Sequence, residues 1–542
     1  GLSLVIVGLG QPALWSFLAP VAAGAGFAIH WFGLRGFSVK QALTISFGWF
    51  FFVQLIQTSW MVSLEYQGLY IIALYFSVSL AIALQFTLLT YFVCFKISLK
   101  AYELIGVASL WTLLELSRIY VLCGYAFNFV GVSLSVNLQS LQIASIAGVF
   151  GMSFWVILTN LFAFRAFKSF SIRNVTVALV LAICPYLYGL VHLKWHEIGQ
   201  SQPEADPLSA LLVQTQISPA QKYRFKGKEE RFTPPLEQWR SILQELANAF
   251  KSHELIVLPE AAVPYGLDTY IYGQRDVDEM IHEFFGELPA GVVPHRAPYH
   301  LNSSVSNAYI LQILSSLLQT TIIVGLDYES ADGQFFNSAF CFDPRRLILS
   351  RYDKQILLPL AEYMPFSHLR SLSKYYGIED FFSKGQGPTI FTEALGLAPS
   401  ICYEELFPSL MRRARLKGAR LFVNLTNDGY YPSTTLPMQH FTQGLIRAVE
   451  NGIPLIRACN TGVTAAVDRF GRIVAKLEGE SGEIESIRGC LSVKVPRQVH
   501  WTLYSFCGEG PLGVFCVISL GFWAQRCLSE KKRVSQISLM KK

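Results

Sequence analysis

The chain has 542 residues, of which 52% are hydrophobic, 14% aromatic and only 15% charged; a soluble protein of this length would carry about 25% charged residues. The net charge of +6 does not point to nucleic acid, because Lys and Arg sit at the ends of apolar runs and in a basic tail rather than on one aromatic-laced face. Ten cysteines with no regular spacing and no CxxC pair argue against a zinc site or a disulfide framework.

The first apolar stretch, Leu2 to Leu9, is too short to cross a bilayer, which takes about 20 apolar residues. It is read as a shortened first transmembrane helix packed against its neighbours, with a cleaved signal peptide as the alternative. Spanning runs follow at Leu14–Phe32, Leu43–Leu64, Leu69–Phe95, Tyr102–Leu122, Leu138–Phe164 and Val175–Leu193, and one more lies at Pro511–Trp523. With the short first segment that makes about eight crossings. Cys94, Cys123, Cys184 and Cys516 fall inside these runs and read as small buried hydrophobes. Glu115 and Arg118 lie three apart on a helical pattern within one of them. An intramembrane ion pair is a functional candidate by default, and it can equally hold helices together.

Orientation follows from the short loops. Arg35 and Lys40, Lys96 and Lys100, and Arg165, Lys168 and Arg173 mark every second connection, and the tail carries Arg526, Lys531, Lys532, Arg533, Lys541 and Lys542. The loop Glu65–Gly68 has no basic residue. The basic connections therefore face the cytoplasm and the large polar region faces outward. The division is a helix bundle over 1–195, a catalytic domain over 205–500, and a last helix with a basic cytoplasmic tail over 501–542.

Residues 205–500 read as α/β. Short apolar runs at Ala210–Val213, Leu255–Leu258, Thr321–Val324, Ser338–Phe342, Pro399–Cys402, Leu421–Leu425 and Leu455–Ala458 have the make-up of buried strands. Helical patterns separate them, as at Leu236–Phe250 and Met438–Asn451. Asp276–Ser316, with Pro289, Pro294, His295, Pro298 and His300 in its middle, reads as a long insertion or lid.

Three segments share one design. Leu255–Glu260 is a buried strand that ends in a carboxylate, Arg351–Lys354 a strand that ends in a lysine, and Pro399–Cys402 a strand that ends in a cysteine, with Tyr403 and Glu404 next. Catalytic groups of α/β sheets collect at the carboxyl ends of strands, so the three can converge. A thiol is a strong nucleophile only as thiolate. A carboxylate beside it can take its proton, and an ammonium favours the thiolate and donates to an oxyanion. Taken singly, each residue has a plain structural reading: Cys402 as packing, Glu260 as a helix first-turn acid, Lys354 as a solvated side chain. His253, His282, His295, His300, His368 and His440 invite a Cys–His protease reading, but none has a recognisable local setting. Cys341, Cys459 and Cys490 read as structural.

Glu260, Lys354 and Cys402, in that order, resemble the Glu-Lys-Cys triad of the nitrilase (carbon–nitrogen hydrolase) superfamily. The segments LPEAAVP, YDKQILLPLAEYMPF, SICYEELFP, TNDGYYP and QHFTQGLIRAVENGIPLIRACNTGVTAAVDRFGRI, with the multi-span amino-terminal half, resemble its membrane branch, the apolipoprotein N-acyltransferases. The likeness covers nearly the whole chain. It implies a multi-span α-helical bundle plus an α/β nitrilase-like αββα sandwich, in the inner (cytoplasmic) membrane with the sandwich in the periplasm. It implies transfer of an acyl chain from a phospholipid to Cys402, then to the α-amino group of a diacylglyceryl-cysteine on an apolipoprotein, with no cofactor and no metal. Glu260 would be the base, Lys354 the oxyanion and thiolate support, and Cys402 the nucleophile. Glu362 would support the triad, and Tyr403 and Glu404 would line the acyl or amine site. Tyr223 stands where the family usually has an aromatic. Gly429-Tyr430-Tyr431 departs from the Trp-Phe pair more usual there. The membrane half suits such a donor, since each buried CH₂ is worth about 0.8 kcal/mol and a two-chain lipid will not leave the bilayer readily. Two rival readings are a membrane-tethered amidase that uses water as acceptor, and a transporter or receptor with a ligand-binding nitrilase domain.

Overall fold

The computed structural model describes residues 1–121, 124–198, 206–224, 227–249, 251–286, 304–344, 349–364, 381–392, 395–485 and 487–540. Cys123, His295, His300 and His368 lie outside them. The chain divides into two compact units: one of Gly1–Val62, Leu69–Ser201 and Thr502–Lys542, the other of Ser63–Gly68 and Gln202–Trp501.

The first unit is helical. Six described helices are long and apolar enough to cross a membrane: Ser16–Gly33, Val39–Gln57, Tyr70–Phe95, Ala144–Lys168, Ile172–Ile198 and Gly510–Ser529. This is a multi-pass membrane protein. Leu2–Leu9 is a helix of only 8 residues. The run expected at Tyr102–Leu122 forms the helix Ala101–Arg118, whose Glu103, Glu115 and Arg118 keep it out of the apolar set. Glu115 and Arg118 are both buried, with Nη1 and Oε1 4.0 Å apart. Their firmer bonds go elsewhere: Arg118 Nε donates to Gln85 (2.7 Å) and Glu115 accepts from the Val130 N–H (3.0 Å). A π-helical turn at Ala22–Gly26 breaks the regular backbone ladder. Unsatisfied backbone groups are costly in hydrocarbon, and buried Asn160 meets them. Its Oδ1 accepts from Phe27 N (2.9 Å), and its Nδ2 donates to Ala23 O (2.7 Å).

Among the described residues the second unit has thirteen strands: β1 (Leu208–Gln214), β2 (Leu255–Val257), β3 (Tyr272–Gly273), β4 (Ser304–Val305), β5 (Thr321–Glu329), β6 (Phe335–Phe342), β7 (Ser350–Asp353), β8 (Leu397–Ile401), β9 (Leu421–Thr426), β10 (Leu455–Cys459), β11 (Ala465–Val467), β12 (Ile473–Lys476) and β13 (Gly489–Val495). One sheet has the order β13-β1-β2-β5-β6-β7, another the order β12-β11-β10-β9-β8, and β3 and β4 pair as a ribbon. The central strands are apolar on both faces, as parallel strands covered on both sides must be. Alternate residues go to different layers. Ala210, Leu212, Leu255, Val257 and Ile323 of the first sheet pack against Ile401, Val423, Leu425, Ile456 and Ala458 of the second. Their neighbours Leu211, Val213, Ile256, Ile322 and Val324 pack outward under the helices Pro235–Ala249, Gln274–Phe285 and Asn307–Leu318. Phe422 and Leu455 do the same on the other sheet, against Pro408–Leu416 and Leu436–Asn451. The result is the αββα sandwich of the nitrilase fold.

The stretch Asp276–Ser316, read as a long insertion or lid, begins and ends in helices of the core. Gln274–Phe285 buries Val277, Met280 and Ile281 at helical spacing, and Asn307–Leu318 is a core helix. The Pro- and His-containing middle lies outside the described residues. The loop Ser63–Gly68, assigned above to the bundle, belongs to the second unit. There Arg231 Nη1 meets Glu65 Oε1 at 3.0 Å, and the rings of Tyr66 and Tyr430 meet edge to face. Such exposed ion pairs contribute at most about 1 kcal/mol.

Candidate active site

Glu260 stands just beyond β2. Past the strand, the chain keeps pairing with β5, through Leu258 N to Ile323 O (2.8 Å), Gly325 N to Pro259 O (3.1 Å) and Ala262 N to Gly325 O (2.9 Å). Ala261 then adopts a left-handed φ of 41° and turns the chain away. Gly325 permits this approach, because a Cβ there would lie 2.6 Å from Glu260 Cα. Gly325→Ala is therefore expected to push the carboxylate off its position and lower kcat by about 10²-fold, the usual effect of a 1 Å misplacement. A kcat equal to wild type in folded Gly325→Ala protein would refute that account.

Lys354 follows β7 directly. Its N–H donates to Asn337 O on β6 (2.9 Å), and its carbonyl accepts from Gly385 N (2.8 Å). The ammonium is buried and sits between two carboxylates, 3.3 Å from Glu260 and 2.7 Å from Glu362. Asn337 Nδ2 donates to both acids, at 2.8 and 3.2 Å. Glu362 Oε2 accepts from Leu358 N (2.7 Å). Burial works against the charge on Lys354, but Glu260, Glu362 and Cys402 outweigh it and hold the ammonium well above the ordinary lysine range.

Cys402 follows β8 on the edge of the second sheet. It is the first residue of a 3₁₀ turn rather than the last of the strand, and its φ is 50°. A non-glycine residue held there stores roughly 1–3 kcal/mol of strain, a recurring mark of active sites. The side chain is half-buried. Burial drives its thiol well above the usual range, Glu260 adds to this, and Lys354 opposes it. Glu260, Lys354, Glu362 and Cys402 thus lie within electrostatic reach of one another, from three places distant in sequence.

The other expected residues take distinct places. Glu404 is fully buried, and its carboxylate accepts from Tyr352 Oη (2.8 Å) and from the N–H groups of Gln355 (2.6 Å), Ile356 (3.2 Å) and Ile401 (2.8 Å). It ties the chain beyond Lys354 to the turn that bears Cys402, and so braces the site rather than lining it. The Tyr403 ring packs edge to face on Phe407, 5.1 Å between centroids. Tyr223 is half-buried. Its hydroxyl is held well above the usual range, first by burial and then by Asp327, Tyr430 and Glu260.

Sequence reasoning missed a second layer. Lys222, fully buried, donates to Ala261 O and to Asn460 Oδ1 (2.9 Å), and Asn460 Nδ2 donates to Glu260 O (2.5 Å). The pair clamps the two successive peptides that follow the Glu260 Cα. Burial lowers the Lys222 ammonium to about 7 and raises the Asp327 carboxyl to about 7, each against the pull of the other. The one signal available was an asparagine closing an apolar strand, at Cys459-Asn460.

Among families, the carbon-nitrogen hydrolase profile matches residues 212–487 and the apolipoprotein N-acyltransferase N-terminal domain profile matches residues 4–162. Among curated proteins, the chain is 31% identical to the apolipoprotein N-acyltransferase of Chlamydia trachomatis serovar D, over 96% of this chain and 95% of that protein. It is 29% identical to that of Chlamydia caviae, over 98% of each. Among solved structures, similar chains include an amidase from Nesterenkonia sp. AN1 (20% identity, 54% of this chain and 92% of that one, TM-score 0.33). Saccharomyces cerevisiae Nit3 is another (18% identity, 58% and 97%, TM-score 0.35).

Proposed function

The chain belongs to the apolipoprotein N-acyltransferase family, and on that premise we propose a phospholipid-dependent N-acylation of lipoproteins through a thioester on Cys402. Glu260 takes the thiol proton as Sγ attacks an ester carbonyl of the phospholipid. The oxyanion forms beside the Lys354 ammonium. Collapse breaks the ester C–O bond, and the leaving lysophospholipid oxygen takes the proton from Glu260. In the second step the α-amino group of a diacylglyceryl-cysteine attacks the thioester and gives a proton to Glu260. The amide forms as the C–S bond breaks, and the thiolate recovers the proton. Glu362 and Asn337 hold Lys354 and Glu260 in place through both steps.

The observation that carries this reading is the buried Glu260–Lys354–Glu362 cluster, with contacts of 3.3 and 2.7 Å, in electrostatic reach of Cys402. The test is a trap. Incubation with a phospholipid labelled in its acyl chains, without lipoprotein, followed by a non-reducing gel, should leave label on the protein that hydroxylamine releases. Label retained by Cys402→Ala would overturn the reading, and a small acyl adduct formed from an amide in place of the lipid would favour the amidase.

We further propose that the protein lies in the inner membrane with residues 206–500 in the periplasm. Arg35 and Lys40, Lys96 and Lys100, and Arg165, Lys168 and Arg173 flank alternate helix ends, which supports this orientation. Protease added to spheroplasts is expected to cut within 206–500. Protection there, with cleavage in inverted vesicles, would reverse it.

A further inference from the structure

A second set of charged side chains is buried around the turn that bears Cys402. Glu405 belongs to the same turn, Asp428 follows β9, His440 lies on the helix Leu436–Asn451 and Arg457 lies on β10. All four are buried to 3% exposure or less. His440 Nδ1 lies 2.9 Å from Asp428 Oδ1. Its Nε2 lies 3.1 Å from the carbonyl oxygen of Cys402 and 3.5 Å from Glu405 Oε2. The Cys402 carbonyl can only accept, so Nε2 carries the proton that meets it. Arg457 Nη1 holds Glu405 Oε2 at 2.8 Å, and its Nη2 stands 3.8 Å from Asp428 Oδ2. Two glycines close the cluster. A Cβ on Gly444 would meet Glu405 Oε1 at 2.6 Å, and one on Gly462 would meet Asp428 Oδ2 at 2.7 Å.

Both His440 ring nitrogens are engaged by oxygen atoms, so the cluster is not the base of a Cys–His protease. What it grips is the backbone. A left-handed φ at a non-glycine residue persists only where its surroundings over-determine it. At Cys402 the carbonyl receives the His440 bond and a longer one from Asn424 Nδ2 (3.4 Å). The peptide is planar, so anchoring this oxygen fixes the whole Cys402–Tyr403 peptide and with it the direction in which Sγ leaves the turn. Burial makes the anchor stiff, since the turn Cys402–Leu406 supplies two partners to the ring, the Cys402 carbonyl and Glu405, and the segment after β9 supplies the third, Asp428.

We propose that His440 is a positioning residue for the acyl-transfer reaction: held by Asp428 and Glu405, it donates from Nε2 to the Cys402 carbonyl and keeps the nucleophile in its left-handed conformation. The proposal rests on the reading of Cys402 as the nucleophile. It separates His440 from a purely structural core residue by the atom that matters. A glutamine can place its amide nitrogen where Nε2 stands, and an asparagine only where Nδ1 stands. In the full-length enzyme, His440→Gln is expected to keep its thioester-forming rate within about tenfold of wild type, the worth of one net hydrogen bond. His440→Asn is expected to lose about 10²-fold, with KM for the phospholipid unchanged. Both rates are taken on protein whose thermal midpoint has been measured. Equal rates for His440→Gln and His440→Asn, or losses that follow the midpoint alone, would overturn the proposal. Unchanged activity in Cys402→Ala would instead overturn the reading on which it rests.

Discussion

Replacing Cys402 by serine is expected to lower the rate of acyl transfer by about 10⁴-fold or more, on the scale seen when a covalent nucleophile is lost. The change swaps one atom at a half-buried position, so the fold has little reason to respond. The chemistry does. The thiol already sits well above its usual range through burial and the neighbouring Glu260, and a hydroxyl, intrinsically far less acidic, would be further still from ionisation in the same surroundings. The raised thiol has a consequence in the resting enzyme. A group whose acid form is favoured contributes little thiolate at neutral pH, so iodoacetamide should modify Cys402 slowly at pH 7 and faster as the pH rises. Exposed Cys507 serves as an internal comparison. Peptide mapping would measure both sites in one sample. Rapid modification of Cys402 at pH 7, or lysophospholipid release by Cys402→Ser at a rate near wild type, would contradict the account.

Much of this was legible in the sequence because it is written in local chemistry. Strands β1, β2, β5, β9 and β10 are short, apolar on both faces and bounded by polar residues, which is how a doubly covered sheet reads. Glu260, Lys354 and Cys402 each close or follow such a run, so their convergence was foreseeable from strand ends alone. What escaped acts through the backbone or through packing. Lys222 and Asn460 grip carbonyls of Glu260 and Ala261, and a carbonyl ligand leaves no trace in residue type. His440 was weighed only as a partner for sulfur, whereas its contact is with the Cys402 oxygen. In Gln274–Phe285, the helical spacing of Val277, Met280 and Ile281 is present in the sequence, but the prolines and histidines that follow it point to an insertion or lid. Glu404 was read as lining the site because it neighbours Cys402, and four donors inside the protein claim its carboxylate instead.

The second large effect belongs to Lys354→Met, which keeps the length of the side chain and removes its charge. Two losses follow, and they are separable. The first is catalytic: in the proposed mechanism the ammonium stands beside the developing oxyanion, and losing one such donor typically costs about 10²–10³ in kcat. The second is structural. Glu260 and Glu362 now share the ammonium at 3.3 and 2.7 Å. Without it they face each other with only Asn337 Nδ2 between them. Breaking a buried pair by deleting one partner costs about 3–5 kcal/mol, so the thermal midpoint should fall clearly. Adding Glu362→Gln to Lys354→Met removes one of the two stranded charges. The double variant should recover part of the midpoint and none of the rate, a coupling that a double-mutant cycle reads directly. If instead Lys354→Met kept its midpoint, the ammonium would not be what reconciles the two acids. If the double variant recovered its rate along with its midpoint, Lys354 would serve stability alone, and the oxyanion would need another donor.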